Sequence, residues 1–255
     1  MTKTEEKHED GLAEGTLMSH LVELRNRLFI MFGSVFGVFL ILFPFSKPIF
    51  EFASEPLRSV LPGGQLIATG TASPVIATLK LSFYLALIIA MPVVLYQTWA
   101  FVAPGLYKKE KHFAFPLLAS SIVLFYVGLA FAYFVVFPLI FNFVVAFTPD
   151  GVNYMPDITD YIGFVMMLVL VFGFAFETPV ATVLIVWTGL TTVEKLGTAR
   201  PYVFLGAFVV GMLLTPPDII SQIMLAIPVY LLYEVGIIMA KLFRSDRVSS
   251  DTEAK

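Results

Sequence analysis

Long apolar runs dominate this sequence and restrict what the chain can fold into. A helix that crosses the hydrocarbon core of a bilayer needs about 20 apolar residues. We predict six such spans, at about residues 28–45, 74–102, 113–146, 161–190, 201–214 and 219–240. A closed β-barrel is the other structure that pairs its backbone in lipid, and it needs short segments of alternating polarity. Because these runs are continuously apolar, the sequence predicts an all-α integral membrane protein.

Composition and charge placement support this prediction. Only 14% of the 255 residues are charged and 58% are apolar, whereas a soluble domain carries about 25% charged residues. With six spans, most of the sixteen Lys and Arg side chains fall on the side of the two termini, and only Lys47, Arg58 and Lys80 fall on the other. Because cytoplasmic loops are rich in Lys and Arg, we expect both termini in the cytoplasm.

The domain organisation follows from the same pattern. Residues 1–16 are polar and acidic, and we predict a disordered cytoplasmic tail there. Residues 17–240 form the predicted six-helix transmembrane domain, and residues 241–255 a second cytoplasmic tail. The first apolar run begins only after Arg27 and no Ala-x-Ala site follows it, so we interpret it as a retained helix rather than a cleaved signal.

Prolines inside the predicted spans indicate bent helices. They stand at Pro92, Pro116, Pro138, Pro179 and Pro228. Each removes a backbone hydrogen bond, although membrane helices also tolerate single prolines. Five together favour a curved arrangement of helices around a concavity.

Several kinds of chemistry lack their residues in this sequence. There is no cysteine, so disulfides and thiolate metal sites are excluded, and the three histidines are far apart. No phosphate-binding loop, zinc-protease motif or serine nucleophile motif is present. We therefore predict no enzyme, no metal and no cofactor. Any energy input would come from a partner or from the transmembrane potential.

The segment before the first span is a predicted interfacial helix. Leucines at positions 17, 21, 24 and 28 fall on one helical face, and Glu23 and Arg27 are four residues apart and can pair. An ordinary membrane anchor is one interpretation. The carboxylate of Glu23 argues against it, because an anionic group is unfavourable at an anionic lipid surface.

A second acidic residue, Glu110, lies among three lysines in the first predicted cytoplasmic loop. It either balances those lysines in solvent or acts together with Glu23. Two carboxylates on one face can each grip a guanidinium through two hydrogen bonds, which suits a partner with adjacent arginines. Trp99, Phe101 and Tyr107 are near in sequence and are candidates to stack on such planar groups.

Glu177 falls near the middle of the fourth predicted span. A carboxyl group at that depth costs a few kcal/mol and is a functional candidate by default. The alternative is a lone acid hydrogen-bonded inside the helix bundle. For Glu234, near the end of the sixth span, we favour a structural role, and for Asp218 a role as helix cap after Pro216 and Pro217.

Three motifs in order resemble the TatC family, the C subunits of the twin-arginine translocase. They are His-Leu-Val-Glu-Leu-Arg-Asn-Arg-Leu at 20–28, the stretch from Tyr96 to Lys111 with its Ala-Pro-Gly-Leu-Tyr centre, and Phe-Val-Val-Gly-Met-Leu-Leu-Thr-Pro-Pro-Asp at 208–218. The resemblance covers about residues 17–240.

The resemblance implies that the chain recognises twin-arginine signal peptides of folded proteins that are exported. It also implies that the proton motive force drives this export. It assigns signal-peptide binding to Glu23, Arg25, Phe101 and Glu110, a polar intramembrane partner contact to Glu177, and roles in the periplasmic loops to the residues Pro56 and Asp218. It also implies a six-helix concave fold in the cytoplasmic (inner) membrane.

The implied partners are the single-span subunits TatB and TatA, further copies of the chain itself and the lipid bilayer, with no nucleic acid. A competing hypothesis is a proton-coupled transporter of a small solute that uses Glu177 as its carrier. It requires a closed midplane cavity with several polar groups, of which the sequence supplies few, and the chain lacks the internal repeat of many such transporters.

Overall fold

The computed structural model describes residues 3–60, 66–102, 111–149, 151–152, 155–214 and 219–253. Side chains are described within 18–54, 66–101, 115–149, 151–152, 155–212 and 222–242. Throughout these ranges the regular backbone is helical, apart from one isolated bridge between Ile67 and Asp157. The all-α prediction is confirmed.

The helices follow the predicted apolar runs. Their bounds are α1 Lys3–Leu42, followed by a 3-10 turn Phe43–Phe45, α2 Ser46–Val60, α3 Ser73–Val102, α4 Lys111–Phe131, a π-helical turn Ala132–Val136, α5 Phe137–Ala146, α6 Ile158–Ala175, α7 Thr178–Trp187, α8 Val193–Leu214 and α9 Ile219–Glu253. Of the tail predicted at residues 1–16, residues 3–16 form the start of α1. Their side chains lie outside the described ranges, so the domain boundaries stay predictions.

Five stretches of the described chain are long and apolar enough to cross a membrane. They are Met18–Ser54, Ser73–Phe101, Phe115–Ala146, Ile158–Trp187 and Gln222–Leu242. They correspond to the first four predicted spans and to the sixth. The predicted fifth span, 201–214, lies in α8, whose described part is not among the five. The count of six and the cytoplasmic termini therefore stay predictions.

The prolines act in two different ways. Pro179 stands in the first turn of α7, after a break at Phe176 and Glu177. A proline there removes no intrahelical bond, because an N–H in the first turn has no helical acceptor. Pro138 is the second residue of α5 and follows the π-helical turn without a break. Pro92, Pro116 and Pro228 likewise lie inside continuous helices.

The main apolar core joins α3, the π-helical turn, α5 and α6, with Phe137, Ile162 and Phe172 among its fully buried side chains. Two glycines bring α4 and α6 together. A Cβ atom on Gly128 would lie 2.5 Å from the carbonyl oxygen of Phe172, and one on Gly173 would lie 2.6 Å from the Phe125 ring. Small residues allow this close approach, which is how helices pack in lipid without a hydrophobic driving force.

At one end of the molecule, Asp157 ties the two long interhelical connections together. Its Oδ1 accepts the Thr159 N–H at 2.7 Å and so caps α6, while its Oδ2 accepts the Thr69 N–H at 2.8 Å and the Thr69 hydroxyl at 2.6 Å. These bonds hold the pKa of Asp157 down at about 2, with the Thr69 hydroxyl as the largest cause. The Ile158 N–H also donates to the Ile67 carbonyl at 2.9 Å. The connections predicted on the outer side therefore meet at one end.

We expect Gly128→Ala to destabilise the protein by about 1–3 kcal/mol, because the added methyl group meets backbone that cannot rotate away. Gly163→Ala is the matched control, since a Cβ there meets no atom within 4 Å. Thermal unfolding of both variants in detergent measures the difference. Equal stability of the two variants would contradict the close approach of α4 and α6.

We expect Asp157→Ala to accelerate amide hydrogen exchange at Thr69 and Thr159, because both amides lose their acceptor. Asp160→Ala is the control, since Asp160 is exposed in the first turn of the same helix. The lowered pKa sets the pH dependence: the stabilisation is fully present above about pH 4, the ordinary pKa of an aspartate, and is lost as the pH falls through about 2. Loss of Thr69 protection already between pH 6 and 5 would show that another group holds this connection.

Candidate functional site

At the other end of the molecule, α1 and α3 pack together and bring the first predicted motif against the second. His20, Glu23 and Arg27 share one face of α1, and Gln97 and Phe101 share one face of α3, because these residues are three or four positions apart. The His20 and Phe101 rings are stacked, with centroids 4.3 Å apart and planes inclined by 20°. Two aromatic rings thus form a small platform beside the Glu23 carboxylate.

Glu23 forms the predicted ion pair with Arg27. Arg27 Nε and Nη2 donate to the same oxygen, Glu23 Oε1, at 2.9 and 2.6 Å. The other oxygen, Oε2, lies 3.8 Å from His20 Nδ1. The Glu23 side chain remains 36% exposed, so solvent or a ligand can reach it.

Gln97 is the third member of this group, and its role is not evident in the sequence. Its side-chain oxygen accepts a hydrogen bond from Arg27 Nη1 at 3.0 Å. Gln97 is only 9% exposed, so α3 holds the guanidinium from inside the protein. The signal available in the sequence is an amide side chain four positions before Phe101 in a mostly apolar helix.

The other predicted signal-binding residues are placed as follows. Arg25 is exposed, and its guanidinium lies 3.4 Å from Asn26 Oδ1. Glu110 and Tyr107 lie outside the described residues, in the segment between α3 and α4. The prediction that Trp99 stacks on a ligand is wrong: its side chain is 9% exposed and its indole N–H donates to Ser121 Oγ at 3.1 Å. Trp99 faces the helix bundle because that side of α3 packs on α4.

Glu177 stands where α6 ends and α7 begins. Its backbone N–H donates to the Phe174 carbonyl at 3.0 Å and its own carbonyl accepts from Ala181, so the break leaves both of these backbone groups bonded. The Ser121 side chain lies near its carboxyl group and accepts the Trp99 indole N–H at 3.1 Å. Glu177 Oε1 is buried and has no partner among the described residues. One acceptor oxygen of the Glu177 carboxyl group therefore stays unpaired among the described residues.

The contacts of Glu234 fit the structural role that we favour for it from the sequence. Arg200 Nε and Nη2 donate to its two carboxylate oxygens at 2.7 and 2.8 Å, and the Tyr230 hydroxyl donates to Oε1 at 2.9 Å. This bidentate pair joins α8 to α9.

Two residues were predicted in the outer loops. Pro56 belongs to α2, where its side chain is outside the described ranges, and Asp218 lies outside the described residues.

Comparison with known proteins agrees with this architecture. Residues 19–228 match the family model described as Sec-independent protein translocase protein (TatC). The chain is 52% identical over 229 residues to a Sec-independent protein translocase protein TatC of Azotobacter chroococcum, covering 89% of this chain and 90% of that protein. It is 51% identical over 228 residues to the TatC protein of Escherichia coli K12, covering 89% and 88%.

A solved structure shares the fold. The crystal structure of a twin-arginine translocase receptor, TatC, superimposes with a TM-score of 0.80 at 40% sequence identity, covering 88% of this chain and 98% of that one. A second TatC receptor structure, in the detergent DDM, gives a TM-score of 0.79 at 38% identity. The resemblance seen in the three motifs is confirmed, and the chain belongs to the TatC family of Sec-independent protein translocase proteins.

Proposed function

We propose that this chain is the subunit of a twin-arginine translocase that recognises the signal peptide of folded substrate proteins at the cytoplasmic face of the inner membrane. The observation that carries the proposal is the Glu23 carboxylate, half-exposed beside the stacked rings of His20 and Phe101. The family and the solved receptor structures support it.

The chemistry of this group suits a guanidinium ligand. A carboxylate accepts guanidinium hydrogen bonds in the plane of the fork, and a flat aromatic surface stacks on the guanidinium face. α3 ends beside Glu23, and Glu110 immediately precedes α4. We therefore assign the second carboxylate of the site to Glu110 and place Arg25 at its rim.

Affinity requires more than these charges. An exposed ion pair contributes about 0–1 kcal/mol, so two pairs do not bind a peptide tightly. We propose that the apolar segment of the signal peptide supplies most of the affinity by packing on the concave face of the helices. The two carboxylates then select Arg-Arg over other pairs of cations.

The partners follow from the intramembrane acid. We propose that Glu177 pairs with a polar group on the single span of TatB or TatA, because the residue is only partly buried and its Oε1 has no hydrogen-bond partner among the described residues. Further copies of the chain complete the receptor, the proton motive force drives transport, and the chain itself carries out no catalysis. The comparisons support this function and give no support to the solute-transporter hypothesis.

We expect full-length protein in lipid nanodiscs to bind a fluorescent peptide with Arg-Arg and an apolar segment more tightly than the matched Lys-Lys peptide. Glu110→Lys should reduce that preference by up to about fivefold, the equivalent of one exposed ion pair, with less effect on total membrane association. Glu51→Lys is the control, because Glu51 is exposed in α2, remote from His20 and Phe101. Comparable binding of both peptides by the wild type would refute recognition through guanidinium forks.

We expect Glu177→Leu to reduce co-purification of TatB and TatA, since a leucine cannot pair with a polar group on a partner helix. Glu177→Gln should retain more of both partners, because an amide still donates and accepts hydrogen bonds. Thr182→Val is the control, because the Thr182 hydroxyl is buried and bonded within its own helix. Wild-type recovery of both partners with Glu177→Leu would remove Glu177 from the contact.

A further inference from the structure

The Glu23 oxygen that faces Arg27 has no capacity left for a ligand. An oxygen of a carboxylate offers about two lone-pair directions, and Arg27 Nε and Nη2 both point at Oε1, at 2.9 and 2.6 Å. Only Oε2 is open. The neighbouring His20 Nδ1 is 3.8 Å from it, which is too far for a hydrogen bond. A ligand guanidinium that grips both oxygens must therefore displace Arg27.

Gln97 provides a place for Arg27 when this happens. Its side-chain oxygen already accepts Arg27 Nη1 at 3.0 Å, and the Gln97 side chain is almost fully buried. Arg27 itself is 21% exposed, so its remaining donors reach water. If Arg27 leaves Glu23, it keeps one protein hydrogen bond and gains solvent, rather than becoming an isolated buried charge.

We propose that Arg27 is an internal competitor of the signal peptide: it occupies Glu23 in the unliganded protein, and an incoming guanidinium replaces it there while Gln97 retains it. The inference rests on the proposed function and deepens it, because it makes Arg27 a determinant of the affinity of the same site. The exchange keeps Glu23 paired in both states, so the carboxylate is never left without a cation.

The size of the effect follows from the ion pair that must be broken. A pair of this exposure is worth up to about 1 kcal/mol, which corresponds to about fivefold in affinity. Removing Arg27 should therefore tighten binding of the Arg-Arg peptide by about two- to fivefold. Direct binding to Oε2 with Arg27 in place predicts no tightening.

The experiment measures the Kd of the Arg-Arg peptide for full-length protein in nanodiscs, with four variants. We expect Arg27→Gln to bind two- to fivefold more tightly than wild type. Gln97→Met should change the Kd little, because Gln97 holds Arg27 Nη1 both before and after the exchange. In the double variant, Gln97→Met should have no further effect. A role of Gln97 in packing alone would weaken binding in both backgrounds and would overturn its assignment.

Arg27→Lys is the charge-matched comparison, because it keeps the positive charge but lacks the two-donor fork. It should tighten binding by a smaller factor than Arg27→Gln. If relief of charge repulsion were the cause, Arg27→Lys would bind like the wild type, and the proposal would fail. Unchanged or weaker binding by Arg27→Gln would also overturn it. Arg27→Lys also serves if Arg27→Gln does not fold.

These outcomes are distinct from failure of the proposed function. If wild-type protein shows no preference for Arg-Arg over Lys-Lys, the recognition site itself is refuted. If the preference is present and the Arg27 variants bind like the wild type, recognition stands and the competition by Arg27 is refuted.

Discussion

The structure depends on one constraint: in hydrocarbon, every backbone N–H and C=O must find its partner within the protein. Long continuous helices meet that constraint, and the described spans have this form. Where the fourth span breaks, the chain still bonds the amides of Phe176 and Glu177 to carbonyls of the preceding turn, and Pro179 stands where an N–H would have no helical acceptor. The break therefore places a carboxyl group at membrane depth without stranding these backbone groups.

Polar interactions are concentrated near the ends of the helices. Asp157 joins two connections at one end, and Glu23, Arg27 and Gln97 join α1 to α3 at the other. Between these ends most contacts are apolar side chains and close glycine approaches such as Gly128 on α6, with single hydrogen bonds such as Trp99 to Ser121 among them. This distribution keeps most charged groups near water, where their desolvation is small. Glu177 and Glu234 both lie inside described spans, and Glu234 is paired there with Arg200.

Local sequence rules predicted part of the site. The pairing of Glu23 with Arg27 follows from a spacing of four residues in a helix, and the proposal for Glu177 starts from the cost of a carboxyl group in lipid. Trp99 shows where such rules fail. Proximity in sequence to Phe101 suggested a shared ligand surface, yet the two rings project from different sides of α3, and Trp99 is buried against Ser121 on α4.

The sequence by itself determined the class of fold and the chemistry available to it. Apolar runs of membrane-spanning length specify helices, because the lipid enforces local backbone pairing, and three motifs in order specify the family. Tertiary structure decided which polar groups meet. That His20 stacks on Phe101, that Gln97 holds Arg27 and that Asp157 binds Thr69 all depend on contacts between helices or connections distant in sequence. No local pattern encodes those distances, because they are set by how the helices pack against each other.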